Sequence, residues 1–318
     1  RGNEAGSGGG ILSYNSECRF NDTDIAGNFA AALGGGVYVT ETGACSFTNC
    51  RIGHNECSGS AAGILAINTF GPFTVTSSDI VSNRAANIAG GMYCQGASYE
   101  VTACRISGNS AGAAVGGFYV IGGSMEMRST EIANNTANSG YGGGLVQGEL
   151  TCYDCDFLSN TADLDGDTNG LGGALGCADG VVTLIAQSKT VTVAGNSAES
   201  GGGICVMDPG VCRLRTHSQH SVRCADNRAI NYGGGAYASG GKITGNGGIV
   251  FDGNTANYGG GILAEYGGEV SLADNGGALP VFRRNTAALG GGGIFGVVSN
   301  TMITLTNAII GAPGAGNV

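Results

Sequence analysis

Asp163, Asp165, Asp167 and Asn169 come nearest, in type and spacing, to a recognisable chemistry. In Asp165-Gly166-Asp167-Thr168-Asn169-Gly170 oxygen-bearing side chains alternate ahead of a glycine, as in the opening half of a calcium loop, where they converge on a hard cation. The position that should supply a bidentate Glu is Gly176, so Asp163 has to help, and calcium competes here with a plain polar turn. Calcium is the one cofactor the sequence suggests. Cys152-Tyr153-Asp154-Cys155 has the spacing of half a metal or redox site, but it lacks a second pair and a βαβ setting, so structural cysteines are the preferred reading. His217 and His220 with Cys212 and Cys224 fit a zinc set, and a disulfide from Cys212 to Cys224 tying a long loop fits better.

Catalytic constellations are harder to assemble. No Gly-x-Ser-x-Gly elbow is present, and His54, His217 and His220 have no neighbours that would complete a triad. Cleaving a polysaccharide needs clustered carboxylates as acid and base, or as calcium ligands, with basic residues beside them. Asp22 and Asp24, Asp79, Asp154 and Asp156, and Asp226 read as scattered, so a lyase or hydrolase is only the alternative. A net charge of −10 argues against nucleic acid and anionic membrane surfaces as partners. No stretch approaches the length of a membrane span, so no membrane insertion is expected.

What must position these residues is a repeat. Asn-x-Ala, a glycine cluster and an apolar pair return at Asn3, Asn28, Asn83, Asn109, Asn135, Asn160, Asn196, Asn227, Asn254 and Asn285, with Asn55-Glu56-Cys57 as a variant. Successive asparagines lie 25 to 36 residues apart, the size of one solenoid coil. The 63 glycines and short alternating runs such as Phe73-Thr74-Val75-Thr76 point to strands joined by tight turns rather than to helices.

Stacking the periods on their asparagines gives columns. Three residues before each Asn stands an apolar residue, from Ile25, Ile52 and Ile80 to Phe251 and Phe282, expected to face inward. The Asn itself is expected to open a turn in the left-handed backbone region and to bond its counterparts above and below as a ladder. After the glycines a second inward column runs Ile11, Val37, Ile64, Met92, Phe118, Leu145, Leu175, Ile204, Ala236, Ile262 and Ile294. The next residues, Leu12, Tyr38, Leu65, Tyr93, Tyr119, Val146, Cys205, Tyr237, Leu263 and Phe295, should point outward. Tyr38, Tyr93, Tyr119 and Tyr237 would then form a surface aromatic stripe able to stack on sugar rings or on a neighbouring rod, unless a corner turns the column partly inward.

These columns predict an all-β fold, a right-handed parallel β-helix solenoid of about eleven to twelve coils, as a single domain over residues 1–318. At ~4.8 Å per strand, eleven coils make a rod on the order of 50 Å long. Insertions at 163–170, 186–193 and 208–220 should be loops at its turns. Cys18 and Cys45 each sit ten residues before their Asn, which places them one above the other within disulfide reach.

Phe251-Asp252-Gly253-Asn254 with Gly260-Gly261-Ile262, and Phe282-Arg283-Arg284-Asn285 with Gly292-Gly293-Ile294, resemble the Phe-x-x-Asn and Gly-Gly-x-Ile tetrapeptides of polymorphic outer membrane protein repeats. Most earlier coils put Ile where that pattern has Phe. The resemblance implies an extracellular or cell-surface protein with a structural or adhesive role. The expectation is therefore a non-enzymatic rod, a segment of a larger chain or a fibre subunit, self-associating end to end or side by side, with carbohydrate as a further partner. Its uncovered terminal coils are the expected points of end-to-end contact.

Overall fold

The computed structural model describes residues 2–163, 169–217 and 219–311. The chain winds as a right-handed parallel β-helix of about eleven turns. Each coil follows one itinerary, for which 37–57 serves as the example: Val37–Thr40 and Cys45–Thr48 on one face, Arg51–Gly53 on the second, and Glu56–Cys57 on a short third. Each strand pairs parallel with its counterparts one coil away, as when Ile64 to Ile67 align with Val37 to Thr40 below and Met92 to Gln95 above. No helix among the described residues is long and apolar enough to cross a membrane.

The expected ladder is built, and from Asn55 onward both amide hydrogens are used. The main-chain N–H and the Nδ2 of each asparagine from Asn3 to Asn254 both donate to Oδ1 of the asparagine in the next coil, the side-chain bonds measuring 2.8–3.0 Å. From Asn55 onward, the second Nδ2 hydrogen goes to the carbonyl of the inward apolar residue of the coil before, as Asn55 does to Ile25 at 2.9 Å. No other side chain offers two donors and a doubly accepting oxygen in this shape. The amide repeats in register from coil to coil.

The turn is not where the sequence placed it. The left-handed residue is the one before the asparagine: Gly27, His54, Ser82, Gly108, Asn134, Ser159, Gly195, Asp226, Gly253 and Arg284 all have φ between 52° and 66°. The ladder asparagines do not have positive φ. They are selected for hydrogen bonding, while the preceding residue takes the backbone cost. The glycine pair answers to the ladder too, because a Cβ on Gly36 would lie 2.8 Å from both Asn55 Nδ2 and the Gly63 carbonyl.

The apolar column before the ladder is buried throughout, from Ile25 to Phe282. In the core, Phe20, Phe47, Phe73 and Tyr99 follow one another with centroids 5.1–5.8 Å apart, the first pair stacked, the second tilted and the third edge to face. The second column departs from expectation in one coil. Phe118 pairs with Gly144, and Tyr119 with Leu145, so Gly144 takes the inward place, and Val146 is an interior residue. A Cβ on Gly144 would meet the Phe118 ring at 2.4 Å, so the ring already occupies that volume.

Two expected loops are largely strand. Val211–Thr216 pairs with Val181–Ala186 and Lys242–Asn246, so the 208–220 expansion mostly lengthens the face rather than leaving it. The expansion at 186–193 narrows to a turn at 187–190, leading into Val191–Ala194. The insertion that follows Ala162 does interrupt the solenoid: the short third face is six-stranded up to Thr136–Ala137 and four-stranded from Ser197–Ser200, with only isolated bridges between.

Replacing Asn109 with Leu removes the acceptor of the Asn83 N–H and Nδ2 and the donor to the Ile80 carbonyl, all buried. We expect a loss of about 3 kcal/mol or more in denaturant unfolding. Asn87→Ala, at an exposed position, should stay within about 0.5 kcal/mol of the parent.

Candidate functional site

The same register that stacks the asparagines also stacks the residues four before them. Asp24, Arg51, Asp79, Arg105, Glu131 and Asp156 open successive strands of the second face and pair one to the next. Those from Asp24 to Glu131 edge a groove of roughly 690 Å³ along the corner between the first and second faces. Arg51 Nη1 lies 3.4 Å from Asp24, and Arg105 holds Asp79 through Nε at 3.1 Å and Nη2 at 3.4 Å. These pairs are half exposed, so each adds little stability. This is the arrangement the sequence reading missed when it took the carboxylates as scattered; the fixed offset of four residues from each asparagine was the available signal.

The floor of the groove is a column of thiols and hydroxyls. Cys50 N donates to Ser78 Oγ at 2.9 Å and Cys104 N to Thr130 Oγ1 at 3.3 Å. The Cys104 thiol donates to the Val75 and Thr102 carbonyls, and burial pushes it up to about 11, so it is a weak donor rather than a nucleophile at neutral pH. Chemically, the groove offers alternating acceptor and donor rungs one strand apart, suited to a hydroxyl-rich ligand.

Further along the corner, Asp154 anchors the 187–190 turn. Its carboxylate accepts from the amides of Gln187, Ser188 and Lys189 and from the Ser188 hydroxyl. Asp156 beside it takes Lys189 Nζ at 2.6 Å and the Thr192 amide at 2.9 Å.

The tyrosine stripe is largely covered. Strand alternation does send it away from the main core, but the returning chain packs over it: Tyr237 joins Val115, Tyr141, Leu145, Cys205 and Leu263 in a second apolar cluster, with Tyr119, Tyr232 and Tyr258 against it. Tyr141 enters above Gly176, where a Cβ would lie 2.0 Å from its ring. Tyr38, Tyr93 and Tyr119 are half-buried and Tyr237 is buried. Tyr93 and Tyr119 meet edge to face at 5.2 Å, so they do not form a flat platform.

Cys18 and Cys45, directly paired across two coils, are joined as a disulfide. Cys212 and Cys224 are not; each is a buried free thiol on a strand of a different face, held inside the core rather than across a loop. Burial pushes Cys224 up to about 12 and Cys212 well above its ordinary value. Cys152 and Cys155 are likewise buried thiols. Of the calcium residues, Asp165 and Asp167 lie outside the described residues. Asp163 has a left-handed backbone, and its carboxylate oxygens are buried with no hydrogen-bond partner among the described residues. No group of three or more His, Cys, Asp or Glu among the described residues is placed to hold a metal.

The right-handed beta helix region family matches residues 35–215, more than half of the chain. The chain belongs to the right-handed β-helix family. The Chlamydia polymorphic membrane protein repeat matches residues 244–265 of this β-helix, the segment that carries Phe251 to Asn254 and Gly260 to Ile262. No curated protein and no solved structure matches the chain.

Asp154 carries a pH prediction. Burial by itself would raise its carboxyl, but the Ser188 hydroxyl and the Ser188, Gln187 and Lys189 amides outweigh that and hold it below its ordinary 3.8. The folded state therefore binds the proton more weakly than the unfolded chain. The stabilisation is complete above that ordinary value and is lost as the pH falls through it toward the depressed one. Asp154→Asn should unfold more easily at pH 7 and show a shallower loss of stability below pH about 4 in thermal melts.

Proposed function

We propose that the chain is a surface-displayed structural or adhesive β-helix rod. The observation that carries this reading is the asparagine ladder, which runs without a break from Asn3 to Asn285 and ties the coils into one stiff stack. In such a stack the interior is filled with side chains, so recognition belongs to the outer faces and turns. The repeat shared with Chlamydia polymorphic membrane proteins supports placement at a cell surface. A second copy of the chain is the partner this reading favours, and residues 1–318 act as one domain within it.

The groove favours one specific second reading, carbohydrate binding. Sugar hydroxyls both donate and accept, and carboxylates alternating with guanidiniums meet them in both senses. The groove acids Asp24 and Asp79 are engaged by Arg51 and Arg105, which supports binding over bond cleavage.

Two measurements test the proposal. On intact producing cells, external protease should release fragments of the chain, and beads coated with the purified protein should attach to cells or to immobilised polysaccharide. A chain that stays protected inside the cell sinks the surface reading. Incubation with a panel of neutral and acidic polysaccharides should generate no new reducing or unsaturated ends; steady release of either makes the protein an enzyme instead.

A further inference from the structure

Far from the groove, three of the chain's arginines converge on one carboxylate. Asp252 closes the strand Gly248–Asp252, and its side chain has no exposure to solvent. Arg284 grips it as a fork, Nε to Oδ1 at 2.7 Å and Nη2 to Oδ2 at 2.6 Å. Arg223 and Arg283 each bring an Nη2 to the same Oδ2 at 3.1 Å.

One forked guanidinium is enough to neutralise a buried carboxylate. Here three surround it, and among the described residues the other acid in the cluster is Asp226, 3.9 Å from Arg223 and mostly exposed. The result is a surplus of positive charge on a protein whose net charge is −10. Two independent features mark the surplus as unexplained by folding. Arg283 Nε is buried with no hydrogen-bond partner, a donor lacking its acceptor. Arg284 occupies the left-handed position before the ladder asparagine, with φ 56°, where other coils use Gly, Ser, Asn, His or Asp. A long side chain is placed there against the backbone's preference.

We propose that Arg223, Arg283 and Arg284 form a binding site for a tetrahedral oxyanion, a sulfate or phosphate group, seated on the guanidinium N–H groups that Asp252 leaves unused. Asp252 acts as the organiser. It orients the three forks, and its own negative charge is screened by them, which burial opposes and the arginines enforce by holding its carboxyl down to about 2. Arg223, Arg283 and Arg284 remain about a third to a half exposed, so a ligand can reach them. A tetrahedral group offers enough oxygens to meet all three forks, and its negative charge answers the surplus of three arginines over two aspartates.

The test is titration of the whole chain with inorganic phosphate and inorganic sulfate at constant ionic strength, read by calorimetry and by the thermal midpoint. Binding at a dissociation constant of about 1 mM or tighter, with a rise in midpoint that chloride does not reproduce, is expected. Arg223→Gln combined with Arg283→Gln keeps the Arg284 fork on Asp252, so the protein should fold, and affinity should fall about tenfold or more. Absence of binding by the parent protein, or equal binding by the double variant, overturns the proposal.

Discussion

The structure depends on a stack of buried amides. A buried asparagine must satisfy two donors and a carbonyl oxygen, and here those from Asn55 to Asn254 do so with their copies above and below and with one main-chain carbonyl. That requirement reaches outward along the coil. It forces the preceding residue into the left-handed region, because only that turn delivers the side chain to the axis. It forces glycines opposite, because a Cβ would intrude on the amide. The flanking apolar residue must be inward, since its carbonyl takes the second amide hydrogen. A coil is therefore specified by one residue type and the geometry it imposes.

Strict register has a consequence for the surface. Any residue at a fixed offset from the asparagine meets its own counterpart a strand away, so chemistry repeats along lines parallel to the axis. Acids and arginines alternate on one line, thiols and hydroxyls on the next. Like charges are kept apart on the first line by alternation as far as Arg105, beyond which Glu131 and Asp156 adjoin and Lys189 supplies the counter-charge to Asp156. The Asp252 cluster breaks the linear pattern, drawing arginines from the coils on either side onto one carboxylate.

Stability and variation divide along the rod. Where the coil length is near-constant, all three faces are continuous. Where it jumps, after Asn160, the short third face lapses and the load passes to the ladder, the second face and the Asp154 anchor, all of which run through the disturbance. Insertions are accepted because the ladder does not depend on how far the chain travels between rungs.

By itself the sequence determined the coil: the repeat of Asn, glycines and apolar pairs is local, recurs ten or more times, and leaves few architectures in which each unit can bury its face. It also determined the Cys18–Cys45 bond, because a shared offset from the ladder becomes a shared position in space. The tertiary structure decided whatever rests on contacts between columns. A tyrosine that points away from one core reads as exposed until the returning chain covers it, as Tyr141 and Tyr232 do. Gly144 reads as turn until the Phe118 ring is found in its place, which shifts Leu145 outward and Val146 inward. Cys212 and Cys224 read as loop cysteines until their segments prove to be core strands. The groove acids and the arginines around Asp252 come from different periods, and their proximity arises only when coils of unequal length are brought into one register.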